Sequence, residues 1–156
     1  MQSAPDYLEQ LARFVGTTPA DQVPQAVRER AKWLIADSLP VYATGMRAAP
    51  MQALAARQMG NAAPGRAWVL GLGATCNSQD AAMLNGIAGA WLDFDEGNTL
   101  ANGHPGAQVL PTALAMAQER AVSGAEFLAT FALAYEVVAR IGMATTPRLI
   151  VNPHGT

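Results

Sequence analysis

Charge is scarce in this sequence. Asp, Glu, Lys and Arg together make up 14% of it, against roughly 25% in an average soluble domain. A single lysine, Lys32, accompanies nine arginines that are scattered along the chain. No basic cluster that could track a phosphate backbone results, so nucleic acid is not an expected partner. One cysteine, Cys76, excludes an internal disulfide framework. The amino terminus has no basic stretch leading into an apolar run, so no secretory signal is read and a reducing cytoplasm is the expected setting. The longest apolar stretch, Phe127 to Ala139, is interrupted by Thr130 and Glu136. It is shorter than the roughly 20 residues a bilayer-spanning helix needs, reads as a buried core helix, and carries no expectation of a membrane. Aromatics are also few, at 6%.

What is abundant is small and apolar: 32 alanines, 14 glycines and 51% hydrophobic residues in 156. Such a balance favours closely packed helices over a sheet, where β-branched and aromatic side chains dominate. The expected fold class is all-α, with about six helices in a single helical domain spanning 1–156.

Helical spacing and capping residues place those helices. Asp6 with Glu9 opens a short one that ends at Gly16. A second runs from about Pro24 to Ala43, with Pro40 expected to kink or end it early. A third runs from Ala49 to Met59, and Ala67 to Leu72 reads as a short extended piece. Asn77 or Ser78 caps a glycine-rich helix to about Leu92, whose Gly86, Gly89 and Ala90 let another backbone come near. Leu110 to Ala121 forms the next, with Pro111 in its first turn. Ser123-Gly124-Ala125-Glu126 is a capping box for the last, which is expected to stop at Gly142.

Because polar residues are scarce, their concentration in one loop is informative. Asp93, Asp95, Glu96, Asn98, Asn102 and His104 fall between the fourth and fifth helices. A carboxylate beside an imidazole is a workable acid–base pair, since burial or a neighbouring charge can bring either pKa toward neutrality, where proton transfer is efficient. A solvated surface loop whose acids merely end a helix fits the same residues. A calcium loop is excluded by Gly97, Asn98 and His104 at its fifth, sixth and twelfth positions. The absence of short His/Cys ligand spacings argues against a metal. Gly71-Leu72-Gly73 lacks the third glycine of a dinucleotide fingerprint, Cys76 standing in its place, and reads as a tight turn. Cys76 itself reads as a buried thiol. Asn85, in a helix interior, either bonds a neighbouring backbone or faces a polar pocket.

Several pieces form an ordered set: Asp37-Ser38-Leu39, Val69-Leu70-Gly71, Asn85-Gly86, Leu92-Asp93-Phe94-Asp95, His104-Pro105-Gly106, Pro111-Thr112-Ala113-Leu114-Ala115, Ser123-Gly124, Tyr135-Glu136-Val137 and His154-Gly155-Thr156. Together they resemble the MmgE/PrpD family, which includes 2-methylcitrate dehydratase and cis-aconitate decarboxylase. That resemblance implies a large helical domain joined to a smaller lid domain, and cofactor-independent lyase or isomerase chemistry on small di- and tricarboxylates. It places Asp93 and His104 at catalytic positions, with His104 transferring a proton and Asp93 orienting it or handling a second. Asn85, Asp95, His154 and Thr156 become substrate-binding candidates. No metal is expected. Family members are longer, so the chain is expected to hold the amino-terminal part of the helical domain without the lid, and only part of a site. A homodimer or larger assembly is expected. The alternatives are a decarboxylase or epimerase of the same family, and a non-catalytic helical oligomerisation or binding module.

Overall fold

The computed structural model describes residues 6–145. Its elements are six α-helices, α1 (Tyr7–Thr17), α2 (Gln25–Gly45), α3 (Ala49–Met59), α4 (Ser78–Ala90), α5 (Pro105–Arg120) and α6 (Gly124–Thr145), with one 3₁₀ turn at Ala20–Gln22. A small antiparallel hairpin, β1 (Ala67–Val69) and β2 (Ala74–Cys76), lies between α3 and α4. The expected all-α class holds for everything but this hairpin. Its strands are too short to show alternation in the sequence. Gly71 and Gly73 close it with φ of 81° and 71°, left-handed values that a side chain would resist.

Helix starts follow their capping residues. Asp6 Oδ1 accepts from the Leu8 amide at 3.0 Å, Asn77 Oδ1 from Asp80 at 3.0 Å, and Ser123 Oγ from Glu126 at 3.1 Å. Three breaker residues act otherwise than expected. Pro40 neither ends nor interrupts α2, which runs on to Gly45; Pro40 and Ala36 are both exposed, so water can take the carbonyl that proline leaves unbonded. The fifth helix begins at Pro105 rather than Leu110, which puts Pro111 in its interior. There the buried Pro111 ring packs on α4, its Cγ 3.7 Å from where a Cβ on Gly86 would sit. Gly142 does not stop α6; it is bare because a Cβ there would collide with the Ala101 carbonyl.

Two clusters form the core. Tyr42, Leu110, Leu128, Phe131 and Leu133 fill the space among α2, α5 and α6. Met46, Met51, Ala55, Val69, Cys76 and Leu84 lie beneath α3, the hairpin and α4. Burial, with Asp80 and Glu119 nearby, pushes the Cys76 thiol up from its ordinary value, which suits a packed thiol and not a nucleophile. The two clusters meet where α2 crosses α4. A Cβ on Gly45 would enter the Ala88 backbone, and one on Gly89 would enter the Tyr42 ring. By length and composition α6 could cross a membrane, yet Leu128, Ala129, Phe131, Ala132, Leu133 and Ala139 are buried in the fold.

Candidate acid–base site

The segment between α4 and α5 is polar in sequence and folded back on itself in the structure. Asp93 sits in the turn that follows α4, exposed and left-handed at φ 52°, a conformation aspartate tolerates better than most residues. Beyond it, Asn98 and Gly103 pair their backbones, with N···O distances of 2.9 and 3.4 Å. Asn98 Oδ1 accepts from the amides of Leu100 and Ala101, each at 3.0 Å, while its Nδ2 donates to the Tyr135 hydroxyl at 3.0 Å. Glu96 ties the loop to both flanking helices. Its Oε2 accepts from the Gly106 amide in the first turn of α5 at 2.8 Å, and its Oε1 accepts from the Tyr135 hydroxyl of α6. A carboxylate at that place also complements the positive end of α5.

His104 occupies the N-cap position of α5. Its Nδ1 lies 2.9 Å from the Glu96 carbonyl oxygen and 3.4 Å from Asp95 Oδ2. The Asp95 side chain is 2% exposed and that of His104 22%, so the pair is screened from water on the carboxylate side and open on the imidazole side. Toward the end of α6, His104 lines a crevice of about 120 Å³ with Pro105, Gln108, Ile141, Gly142 and Thr145. Across the loop, Glu96 and Tyr135 line a wider cleft of about 860 Å³ against α2, where Asp37, Glu96 and Glu136 face one guanidinium, Arg30. Burial and the bond to Glu96 push the Tyr135 phenol up to about 12. Burial, with Asp95 and Glu96 adding to it, raises that of Tyr42 as well. Both phenols stay protonated at neutral pH; Tyr135 is there to donate to Glu96, and Tyr42 donates to the Gly106 carbonyl at 3.4 Å.

Of the residues singled out in the sequence, the structure brings Asp95 and His104 into contact. The carboxylate within 3.4 Å of the imidazole is thus one first placed among substrate contacts. Asn85 takes the plainer of its two readings. Buried in α4, it accepts from the Leu70 amide and donates to the Trp68 carbonyl, both at 2.8 Å, and so clamps β1 onto the helix. His154 and Thr156 lie outside the described residues. Among the described residues no group of three or more His, Cys, Asp or Glu side chains is arranged to hold a metal ion. Glu96 and Tyr135 were not singled out for the site. The signal for Glu96 was its position ahead of Pro105-Gly106, a helix start with no Ser, Thr, Asp or Asn at its cap.

Comparison with known proteins gives one match. The family model described as the MmgE/PrpD N-terminal domain covers residues 9–156. No curated protein and no solved structure matches the chain. With nearly its whole length inside that model, and with the ordered motifs on a helical scaffold, the chain belongs to the MmgE/PrpD family as its N-terminal domain.

Proposed function

We propose that this domain supplies the acid–base part of a lyase site that acts on a small di- or tricarboxylate, with 2-methylcitrate as the leading substrate. The observation that carries the reading is His104 held 3.4 Å from a buried Asp95 carboxylate at the mouth of a crevice. In a dehydration, the imidazole takes the proton next to a substrate carboxylate, the C–H electron pair becomes the new C=C bond, and the β-hydroxyl leaves with a proton as water. Asp95 offsets the charge gained by His104. Asp93, exposed on the same loop, is the proposed carrier of the second proton. The elimination is redox-neutral, so it calls for no electron acceptor.

Charge and size support the His104 side as the place for this substrate. The cleft behind Glu96 is lined by three carboxylates and one arginine; with Glu136 paired to Arg140 at 2.7 Å, Asp37 and Glu96 against Arg30 still leave it unfavourable to a polyanion. The crevice at His104 is not acidic, and its about 120 Å³ has room for one end of a molecule whose full pocket is commonly some 300–1,000 Å³. None of the described residues lining it is lysine or arginine. The cations that grip the distal carboxylates therefore come from other parts of the protein, and His154 and Thr156 are proposed to adjoin the same substrate. NMR of 2-methylcitrate and cis-aconitate incubated with the protein is the test. Olefinic or decarboxylated product that falls by about 10²-fold or more in His104→Gln is the expected result; equal rates in the two proteins overturn it.

One observation favours a second reading, a helical module that works by association. Met83, Ile87 and Trp91 recur at four-residue spacing along α4 and all are exposed, which makes an apolar stripe with no partner within the described residues.

A further inference from the structure

We infer that Glu96 is the positioning residue of this site: by spanning α5 and α6 it fixes the tautomer of His104. The inference rests on the proposed role of His104 as the proton-transfer group. A backbone carbonyl can only accept. With the Glu96 carbonyl 2.9 Å from Nδ1, the neutral imidazole carries its proton on Nδ1 and its basic lone pair on Nε2. Asp95 Oδ2, 3.4 Å from the same nitrogen, reinforces that choice. Free histidine in water prefers the opposite tautomer, so the site has to impose this one. What holds the carbonyl in place is the side chain of the same residue. Glu96 Oε2 is bound to the Gly106 amide at 2.8 Å and Oε1 to the Tyr135 hydroxyl. One residue thereby locks the loop to two helices with its carboxylate and sets the proton on His104 with its carbonyl. The fit is close. A Cβ on Gly106 would come within 2.6 Å of Glu96 Oε2, so only glycine at that position leaves room for the carboxylate. Asn98, bound to the same hydroxyl through Nδ2, fills the remaining side of the clamp.

Both ends of the clamp donate to the carboxylate, which yields a discriminating set of substitutions. Glu96→Gln keeps the reach to both: its amide oxygen accepts from Gly106, and its amide nitrogen donates to the Tyr135 oxygen once the phenol proton turns away. Glu96→Asp is one methylene too short to reach both, and Glu96→Ala reaches neither. Long-range ¹H–¹⁵N NMR of the ¹⁵N-histidine-labelled protein reads the tautomer directly, with His104→Gln identifying which signal belongs to His104. The expected result is a single Nδ1–H form in the wild type and in Glu96→Gln, and a mixture or the Nε2–H form in Glu96→Asp and Glu96→Ala. An Nε2–H wild type overturns the inference, as does a Glu96→Asp protein of native circular dichroism whose His104 pattern is unchanged. Should Glu96→Ala not fold, Glu96→Asp alone decides. In the activity assay, Glu96→Asp is expected to lower kcat about tenfold or more with a smaller change in KM, and Glu96→Gln to restore it. If the tautomer behaves as stated while His104→Gln turns over substrate at the wild-type rate, the clamp stands and the catalytic reading of His104 falls.

Discussion

At the scale of single residues, the polar side chains of this domain divide into those that hold the fold and those that surround the imidazole, and type alone did not separate them. Asn85 and Asp95 were both substrate-binding candidates by motif. Asn85 is saturated by the backbone of Trp68 and Leu70. Asn85→Ala should therefore cost about 1–3 kcal/mol, because it leaves a buried carbonyl and amide without their partner; urea unfolding measures this. The His104 tautomer should be unchanged in the same protein. Tyr135 makes a second prediction. Its phenol is raised from 10.0 to about 12 in the folded chain, so between these values the unfolded chain gives up a proton that the folded chain keeps. Its contribution to stability is complete below about pH 10 and is lost as pH rises toward 12. Tyr135→Phe should show a shallower loss of urea midpoint over that interval, with Tyr42 accounting for part of the loss that remains. The acid–base pair itself was legible as residue types in one loop. Which carboxylate meets the histidine was not, because it depends on the Asn98–Gly103 backbone pairing and on a partner, Tyr135, that lies 39 positions from Glu96.

At the scale of elements, capping chemistry and helical spacing were sufficient to find all six helices, and they failed where tertiary contacts or solvent exposure override local rules. Pro40 and Pro111 sit inside helices, and Gly142 does not end one. The contacts behind two of these exceptions, Pro111 against Gly86 and Gly142 against Ala101, join parts of the chain with no sequence signal between them, whereas Pro40 is tolerated because it and Ala36 are exposed. The glycines of α4 show the same point quantitatively. Gly86 and Gly89 looked alike as small residues that permit close approach. The structure separates them: a Cβ at Gly86 meets Pro111 at 3.7 Å, an ordinary contact, whereas one at Gly89 enters the Tyr42 ring. Gly86→Ala should stabilise the protein by roughly 0.5–1 kcal/mol through helix propensity. Gly89→Ala should destabilise it by about 1–3 kcal/mol through overpacking at the α2–α4 crossing. Thermal or urea unfolding of the pair decides the matter, and equal midpoints would show that the crossing is not as close as described.

At the scale of the whole molecule, the shortage of charge has a structural counterpart. Trp33, Phe94 and Leu100 are 70%, 78% and 72% exposed, and the α4 stripe of Met83, Ile87 and Trp91 is 40%, 40% and 46% exposed. Single exposed apolar side chains are ordinary on protein surfaces, but a stripe at one-turn intervals on a helix is the form an interface takes. A face repeated on every copy can pair with itself about a twofold axis, which closes the assembly at two. The occupant we propose for the stripe is accordingly a second copy of this domain, consistent with a surface of which so little is charged. Light scattering at micromolar concentration should give the mass of a dimer. Ile87→Glu, at the middle of the stripe and away from the loop that holds His104, should shift it to a monomer of unchanged helix content, because a carboxylate buried twice across a twofold contact has no cation to meet it. A wild-type protein that remains monomeric across the micromolar range removes the association reading, and leaves the exposed stripe as a surface covered by some other part of the protein.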